Sequence, residues 1–123
     1  MEPTEKPPIS DPLSSCSNSE PFALQVIGDS MEPEFPDSCI VIIEPSDWCQ
    51  DGMFIMALVE GVRWFRQYRK GEGGESLVAL NDIYPPIDLN GLEWKVEGII
   101  MQRNLRRNQT ASGRREVKHY KYG

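Results

Sequence analysis

Gly28-Asp29-Ser30-Met31-Glu32-Pro33 follows directly on the apolar stretch Phe22-Ala23-Leu24-Gln25-Val26-Ile27. A strand that runs into a glycine-supported turn lifts the next side chain clear of the sheet. Here that side chain is the hydroxyl of Ser30, with the backbone N–H groups of Asp29 and Ser30 beside it. A nucleophile next to paired amide donors is the arrangement that acyl transfer needs. The same residues fit a plainer role. Asp29 with Glu32 three positions on matches a capping box at the start of a short helix. Six residues do not separate these two readings.

Working outward, the neighbouring segments read as strands. Cys39-Ile40-Val41-Ile42-Ile43 is β-branched and apolar, the pattern of a buried strand. Residues 53–59 form a second apolar run, and residues 62–68 answer it across Glu60-Gly61, a two-residue hairpin loop. Residues 76–80 and 94–101 supply two more. Between them lie turn signals: Asp51-Gly52, the glycines of 70–75, and Pro85-Pro86. No segment shows helical periodicity beyond about two turns. The expectation is a mainly β, barrel-like domain of short antiparallel strands with little helix.

The chain has 123 residues, 39% hydrophobic and 26% charged. That is room for one domain. Its net charge of −6 argues against a surface that grips nucleic acid throughout. No apolar run approaches the roughly 18 residues of a membrane span. The start, MEPTEKPPIS, has no apolar signal region, so a cytoplasmic protein is expected. Residues 1–21 are rich in proline and serine and read as a flexible arm. Residues 22–102 form the β domain. Residues 103–123 read as a solvated basic tail, with Arg103, Arg106, Arg107, Arg114, Arg115, Lys118 and Lys121 against Glu116. His119, Tyr120 and Tyr122, at the end of that tail, carry no expected role. The three cysteines, Cys16, Cys39 and Cys49, form no CxxC pair, and His119 is the single histidine. No metal site or cofactor is expected from so few ligands. Cys39 is expected to be a buried apolar residue.

Several blocks recur in a telling order: Phe35-Pro36-Asp37, Ile40-Val41-Ile42-Ile43-Glu44-Pro45, Asp51-Gly52-Met53-Phe54, Leu80-Asn81 with Tyr84-Pro85, and Val96-Glu97-Gly98-Ile99-Ile100. With Gly28-Asp29-Ser30-Met31, they resemble the C-terminal peptidase domain of LexA-type and phage repressors and of UmuD-like polymerase accessory proteins. The resemblance covers residues 20–102. It implies a LexA/signal-peptidase-like β-barrel-type fold, a homodimer, and a Ser–Lys dyad that cleaves the protein's own arm. Ser30 matches the nucleophile.

The dyad works through a neutral lysine, its pKa lowered by burial. In the resembled family it lies on the return strand of the hairpin. Aligned on Val62 and Trp64, that position falls on Phe65, and residues 53–69 contain no lysine. Phenylalanine accepts no proton. A slip of one residue would bring Arg63 or Arg66 instead, and a guanidinium stays protonated. Lys70 and Lys95 fall too far along the chain to reach Ser30 in this fold. The family's scissile Ala-Gly or Cys-Gly is absent from residues 1–27, where Cys16-Ser17 is the nearest approach.

The expectation is therefore a non-cleaving, stand-alone regulatory or dimerising protein of a bacterial or phage stress (SOS) response. The alternative is an active, self-cleaving serine peptidase with Ser30 and an unrecognised base. Whether the chain is an enzyme turns on the residue beside Ser30. The 21 residues before Phe22 are too few for a helix-turn-helix, so direct sequence-specific DNA binding is not expected. The expected partner is a protein of repressor or polymerase type. Residues 96–101 are a candidate dimer edge, against the simpler reading of an interior strand. Trp64, Phe65, Tyr68 and Trp94 suggest a stacking surface for single strands, but an apolar core accounts for them better. Trp48 is expected exposed or half-buried, at a possible interface.

Overall fold

The structure, a computed structural model, describes residues 20–122. The expected arm up to residue 19, with Cys16, lies outside the described residues. Eight strands form one antiparallel sheet. They are β1 (Phe22–Gln25), β2 (Ile40–Pro45), β3 (Phe54–Val59), β4 (Val62–Gly71), β5 (Gly74–Val78), β6 (Ile87–Asp88), β7 (Trp94–Leu105) and β8 (Glu116–His119). The order is β1-β2-β7-β3-β4-β5-β6, with β8 paired to β7. One short 3₁₀ turn, Arg107–Gln109, is the helical element among the described residues. The mainly β expectation holds.

Strand positions follow from residue type. In β2 the alternation buries Val41 and Ile43 completely. β3 is apolar on both faces because it is covered on both: Met56 faces one core cluster, and Ile55, Ala57 and Val59 face the other. β7 divides likewise, with Ile100 in the first cluster and Ile99 in the second. Glu60-Gly61 makes the expected two-residue loop, with Val59 opposite Val62. Both loop residues have positive φ, 49° and 85°, as a type I′ turn demands. Glu60 tolerates this while held at both ends: its N–H donates to the Glu93 carbonyl, and its carboxylate accepts from the Glu93 N–H.

β7 is the hub. Its register slips against β2 at Ile42/Ile43 and against β3 at Met56/Ala57. Such bulges bend and twist a sheet. The sheet rolls far enough for β1 and β4 to line one groove. Gly98 sits between these irregularities. A Cβ there would stand 2.5 Å from the Ile43 methyl, so this close approach needs glycine.

Two expectations need correction. The basic segment is not a detached tail. β7 runs through Leu105, and residues 116–119 return along it as β8. Tyr120 is buried, its ring 5.6 Å from both Phe35 and Phe54. The Tyr122 hydroxyl donates to the Ile100 carbonyl at 2.6 Å. Aromatic burial and strand pairing outweigh the solvation of the charges between them. Residues 96–101 are not an edge, because β2 and β3 flank them. The aromatics pack as the core reading expects: Tyr68 is buried and stacks with Trp94 in the second cluster. Cys39 is fully buried as expected, and burial pushes its thiol up to about 11. Trp48 is half exposed.

Candidate active site

The turn after β1 is built by what it buries. Met31 and Phe35 are both inaccessible and are linked by the Phe35 N–H to the Met31 carbonyl at 2.8 Å. Fully burying a side chain of this size is worth about 1.5–3 kcal/mol. These two anchors pin the turn while Ser30, just before them, remains partly accessible. Gly28 has φ +97°, a conformation that other residues rarely adopt. Its N–H donates to the Asp37 carboxylate at 2.6 Å.

The capping-box reading fails here. The segment is a run of turns, not a helix. The Asp29 carboxylate accepts from the Tyr84 hydroxyl at 2.5 Å, and the Glu32 carboxylate accepts from the Asp37 N–H at 3.1 Å. The Glu32 N–H reaches the backbone carbonyl of Asp29 instead. The loop over residues 79–86 buttresses the turn. The Asn81 N–H donates to the Ser30 carbonyl at 3.0 Å, and its side-chain amide donates to the Asp29 carbonyl at 3.2 Å. Among the described residues, the Asp29 and Ser30 amides donate no hydrogen bond.

Opposite Ser30 stands Arg66. Its Nη1 donates to Ser30 Oγ at 3.0 Å and to the Phe65 carbonyl at 2.9 Å. The guanidinium lies 5.1 Å from the Trp64 ring centroid and 5.9 Å from that of Tyr84. Phe65 does not face the serine hydroxyl in this way. Its ring meets Phe35 edge-on at 5.0 Å, on the side of the first core cluster. The side chain that β4 offers to Ser30 is thus Arg66, one residue beyond the position that the sequence alignment assigned. The reason is alternation counted from the hairpin, which turns Trp64 and Arg66 to one face and Phe65 to the other.

The other basic candidates are engaged elsewhere. Arg63 pairs with Glu97 at 2.7 Å. Lys70 sits at the far end of β4, where its N–H donates to Asp51. Lys95 lies opposite Leu58 near the hairpin. Among the described residues, the side chain bonded to Ser30 Oγ is that of Arg66.

Burial pulls the Arg66 pKa below its ordinary value, and Tyr84 pushes it back. A guanidinium starts so high that it remains a cation and a donor. Its contact therefore supplies Ser30 with a hydrogen bond but with no proton acceptor. An open groove of about 350 Å³ leads to this pair, lined by residues 24–27 of the β1 side and 63–66 of β4. Among the described residues, no three His, Cys, Asp or Glu side chains gather as metal ligands, and no helix is long and apolar enough to cross a membrane.

The sequence singled out Ser30, Asp29 and the hairpin strand, and the structure brings these together. It missed Tyr84 and Asn81 as supports of the turn. Their one signal was their place in the recurring blocks. Comparison with known proteins agrees with this picture. The LexA repressor of Corynebacterium efficiens is 26% identical over 95 residues, 76% of this chain and 41% of that protein. The chain thus spans about two-fifths of that relative's length. The family profile described as Peptidase S24-like matches residues 4–101. By that match, which takes in β1 to β6, β7 as far as Met101, the Ser30 turn and the groove, the chain belongs to the Peptidase S24-like family.

Proposed function

We propose that this chain is a non-cleaving member of the family, a regulatory β domain that dimerises and acts in the cytoplasm through a protein partner of repressor or polymerase type. The stress-response setting rests on the likeness to a LexA repressor. One observation carries the loss of chemistry: Arg66 Nη1 stands 3.0 Å from Ser30 Oγ, where a serine nucleophile needs a base. A base within hydrogen-bond reach takes the hydroxyl proton as the bond to the acyl carbon forms. Arg66 donates into the oxygen lone pair instead. It leaves the hydroxyl proton with nowhere to go.

The test reads the nucleophile directly, without a scissile bond. A fluorophosphonate probe reacts with an activated serine by forming a P–O bond and releasing fluoride. Intact mass is followed for the wild type, Ser30→Ala and Arg66→Lys between pH 7 and 10. Wild type is expected to stay unlabelled. Arg66→Lys is expected to gain one label on Ser30 toward the alkaline end, where a half-buried lysine is partly neutral. Wild-type labelling that Ser30→Ala abolishes would make the chain an active serine peptidase and sink this reading.

A further inference from the structure

Two pairs of arginines close the end of the β7–β8 hairpin. Residues 106–115 read Arg-Arg-Asn-Gln-Thr-Ala-Ser-Gly-Arg-Arg and contain no carboxylate. The family profile stops at residue 101, so this loop is a feature of the chain and not of that match. The strand register ends with Leu105 against Glu116, and Arg106 and Arg115 leave this last pair side by side.

The loop is tied at several points. The Thr110 hydroxyl donates to the Arg114 carbonyl at 2.8 Å and accepts from the Arg114 N–H at 3.2 Å. The Thr110 N–H donates to the Arg107 carbonyl at 3.4 Å, so one residue bridges the two arms. Gln109 fastens the loop to the body. Its side-chain amide donates to the Asp37 carbonyl at 2.9 Å, and its side-chain carbonyl accepts from the Arg106 N–H at 2.8 Å. Arg106 Nη2 donates to the Ser38 carbonyl at 3.3 Å. The side chains of Arg107, Arg114 and Arg115 are exposed and form no hydrogen bond or ion pair among the described residues. Neighbouring carboxylates are engaged elsewhere: Glu34 with Arg103, Lys118 and Tyr120, Glu116 with Arg103, and Asp37 with the Gly28 N–H. Like charges held side by side repel, and an outside anion relieves that repulsion.

The make-up of the loop says which anion. A protein partner needs apolar and aromatic anchors at the centre of its interface, and Ala111 is the loop's one apolar side chain. Single-stranded nucleic acid is held by stacking on aromatic rings, and residues 106–115 contain none. Guanidinium forks beside the small polar side chains of Asn108 and Ser112 suit phosphate oxygens, the main contacts of duplex-binding proteins. The major groove of B-form DNA admits a two-stranded ribbon, whereas that of A-form RNA is too deep and narrow.

We infer that the end of the β7–β8 hairpin binds the phosphate backbone of duplex DNA without reading base sequence, with Arg107, Arg114 and Arg115 as the phosphate-binding groups. The inference is independent of the chemistry at Ser30. The chain's net charge of −6 opposes DNA, so the contact is local, weak and sensitive to salt.

The test titrates the full chain into a fluorescein-labelled DNA duplex two helical turns long and follows anisotropy at several salt concentrations. Three phosphate contacts predict a slope of about −3 for log K against log salt, or roughly 40-fold weaker binding at 200 than at 50 mM. The double variant Arg107→Gln, Arg114→Gln is expected to bring the slope to about −1. Arg69→Gln, which removes an exposed arginine paired with Asp51, is expected to leave it unchanged. Circular dichroism shows that the variants are folded, and the slope is insensitive to a modest loss of active protein. No duplex binding at the lowest salt, a slope that the double variant keeps, or an equal fall in Arg69→Gln each overturns the inference. So does a single strand or an RNA duplex of the same sequence that binds as tightly as the DNA. Tighter binding of labelled polyglutamate would assign the loop to an acidic protein instead. A change of duplex sequence that alters affinity by about tenfold would defeat the backbone-only contact.

Discussion

Two arginines in this small sheet stand in opposite electrical situations. Arg103, on β7, is 7% exposed and lies between Glu34 and Glu116, at 3.4 and 3.1 Å. It also donates to the Glu34 carbonyl at 2.8 Å. Lys118 and Tyr120 reach the same Glu34 carboxylate, at 2.7 and 2.6 Å. Arg66, on β4, is half-buried and, among the described residues, touches neutral groups. The first arginine ties three segments together: the turn after β1, β7 and β8. Its charge is used up within the molecule. The second joins β4 to the turn after β1 through the Ser30 hydroxyl, with no carboxylate beside it among the described residues. Burial alone does not make a charged residue structural; what decides is whether its counter-charges belong to the same chain.

That contrast is open to attack. Its largest expected consequence is on stability. Replacing Arg103 by leucine removes its bonds to the Glu34 carbonyl and the Glu116 carboxylate and loosens β8. Losing these hydrogen bonds to charged and main-chain acceptors is expected to cost about 2 kcal/mol. Arg66→Leu, which removes two hydrogen bonds to neutral acceptors, should cost about 1 kcal/mol. Urea unfolding gives both numbers, and the reverse order would end the comparison. Next in size, Tyr120→Phe keeps the ring against Phe35 and Phe54 but removes the hydroxyl from Glu34. A cost of about 1.5 kcal/mol is expected for a hydrogen bond to a charged group.

A pH series sharpens the same cluster. Burial pushes the Glu34 carboxyl up. The hydrogen bonds from Lys118 and Tyr120 and the charges of Lys118 and Arg103 more than offset this and hold it below the usual glutamate value. A carboxyl whose folded pKa is depressed stabilises the protein above the unfolded pKa, about 4.3. That contribution is lost as pH falls through the lower folded value. The urea midpoint should therefore drop as the solution is acidified below about pH 5, and Glu34→Gln should flatten the decline. Tyrosine titration has the opposite sense. Burial pushes Tyr122 up to about 12, so its contribution is intact below about pH 10 and fades above it. Smallest of all, Arg69→Ala should leave the midpoint unchanged within scatter, since the Arg69–Asp51 pair is about half exposed on both sides.

Legibility in the sequence followed the range of the interaction. The β runs at 39–43, 53–59 and 94–101 were visible because β-branched and apolar residues cluster in short windows between turn signals. The Glu60-Gly61 loop was visible for the same local reason. Ser30 stood out through the block around it. Asp29 was harder, because its neighbours suit a capping box, and only the distant Tyr84 hydroxyl claims its carboxylate. The fate of residues 116–122 was hidden too. Their charges suggested solvent, and nothing local reveals that Tyr120 fits between Phe35 and Phe54.

The sequence by itself determined that this is a mostly β chain with a serine on a turn, without a lysine in residues 53–69 to serve it, and of a recognisable family. Tertiary structure alone decided which residue meets that serine. Phe65 and Arg66 are adjacent, and apolar pattern favoured the first. The two-residue hairpin fixed the register, pleating sent the two side chains to opposite faces, and the roll of the sheet brought one of those faces to the turn. Register is read within a strand pair, but which face meets a distant turn depends on how the whole sheet closes. That closure is set by β7, its two bulges and Gly98, far along the chain from the serine they serve.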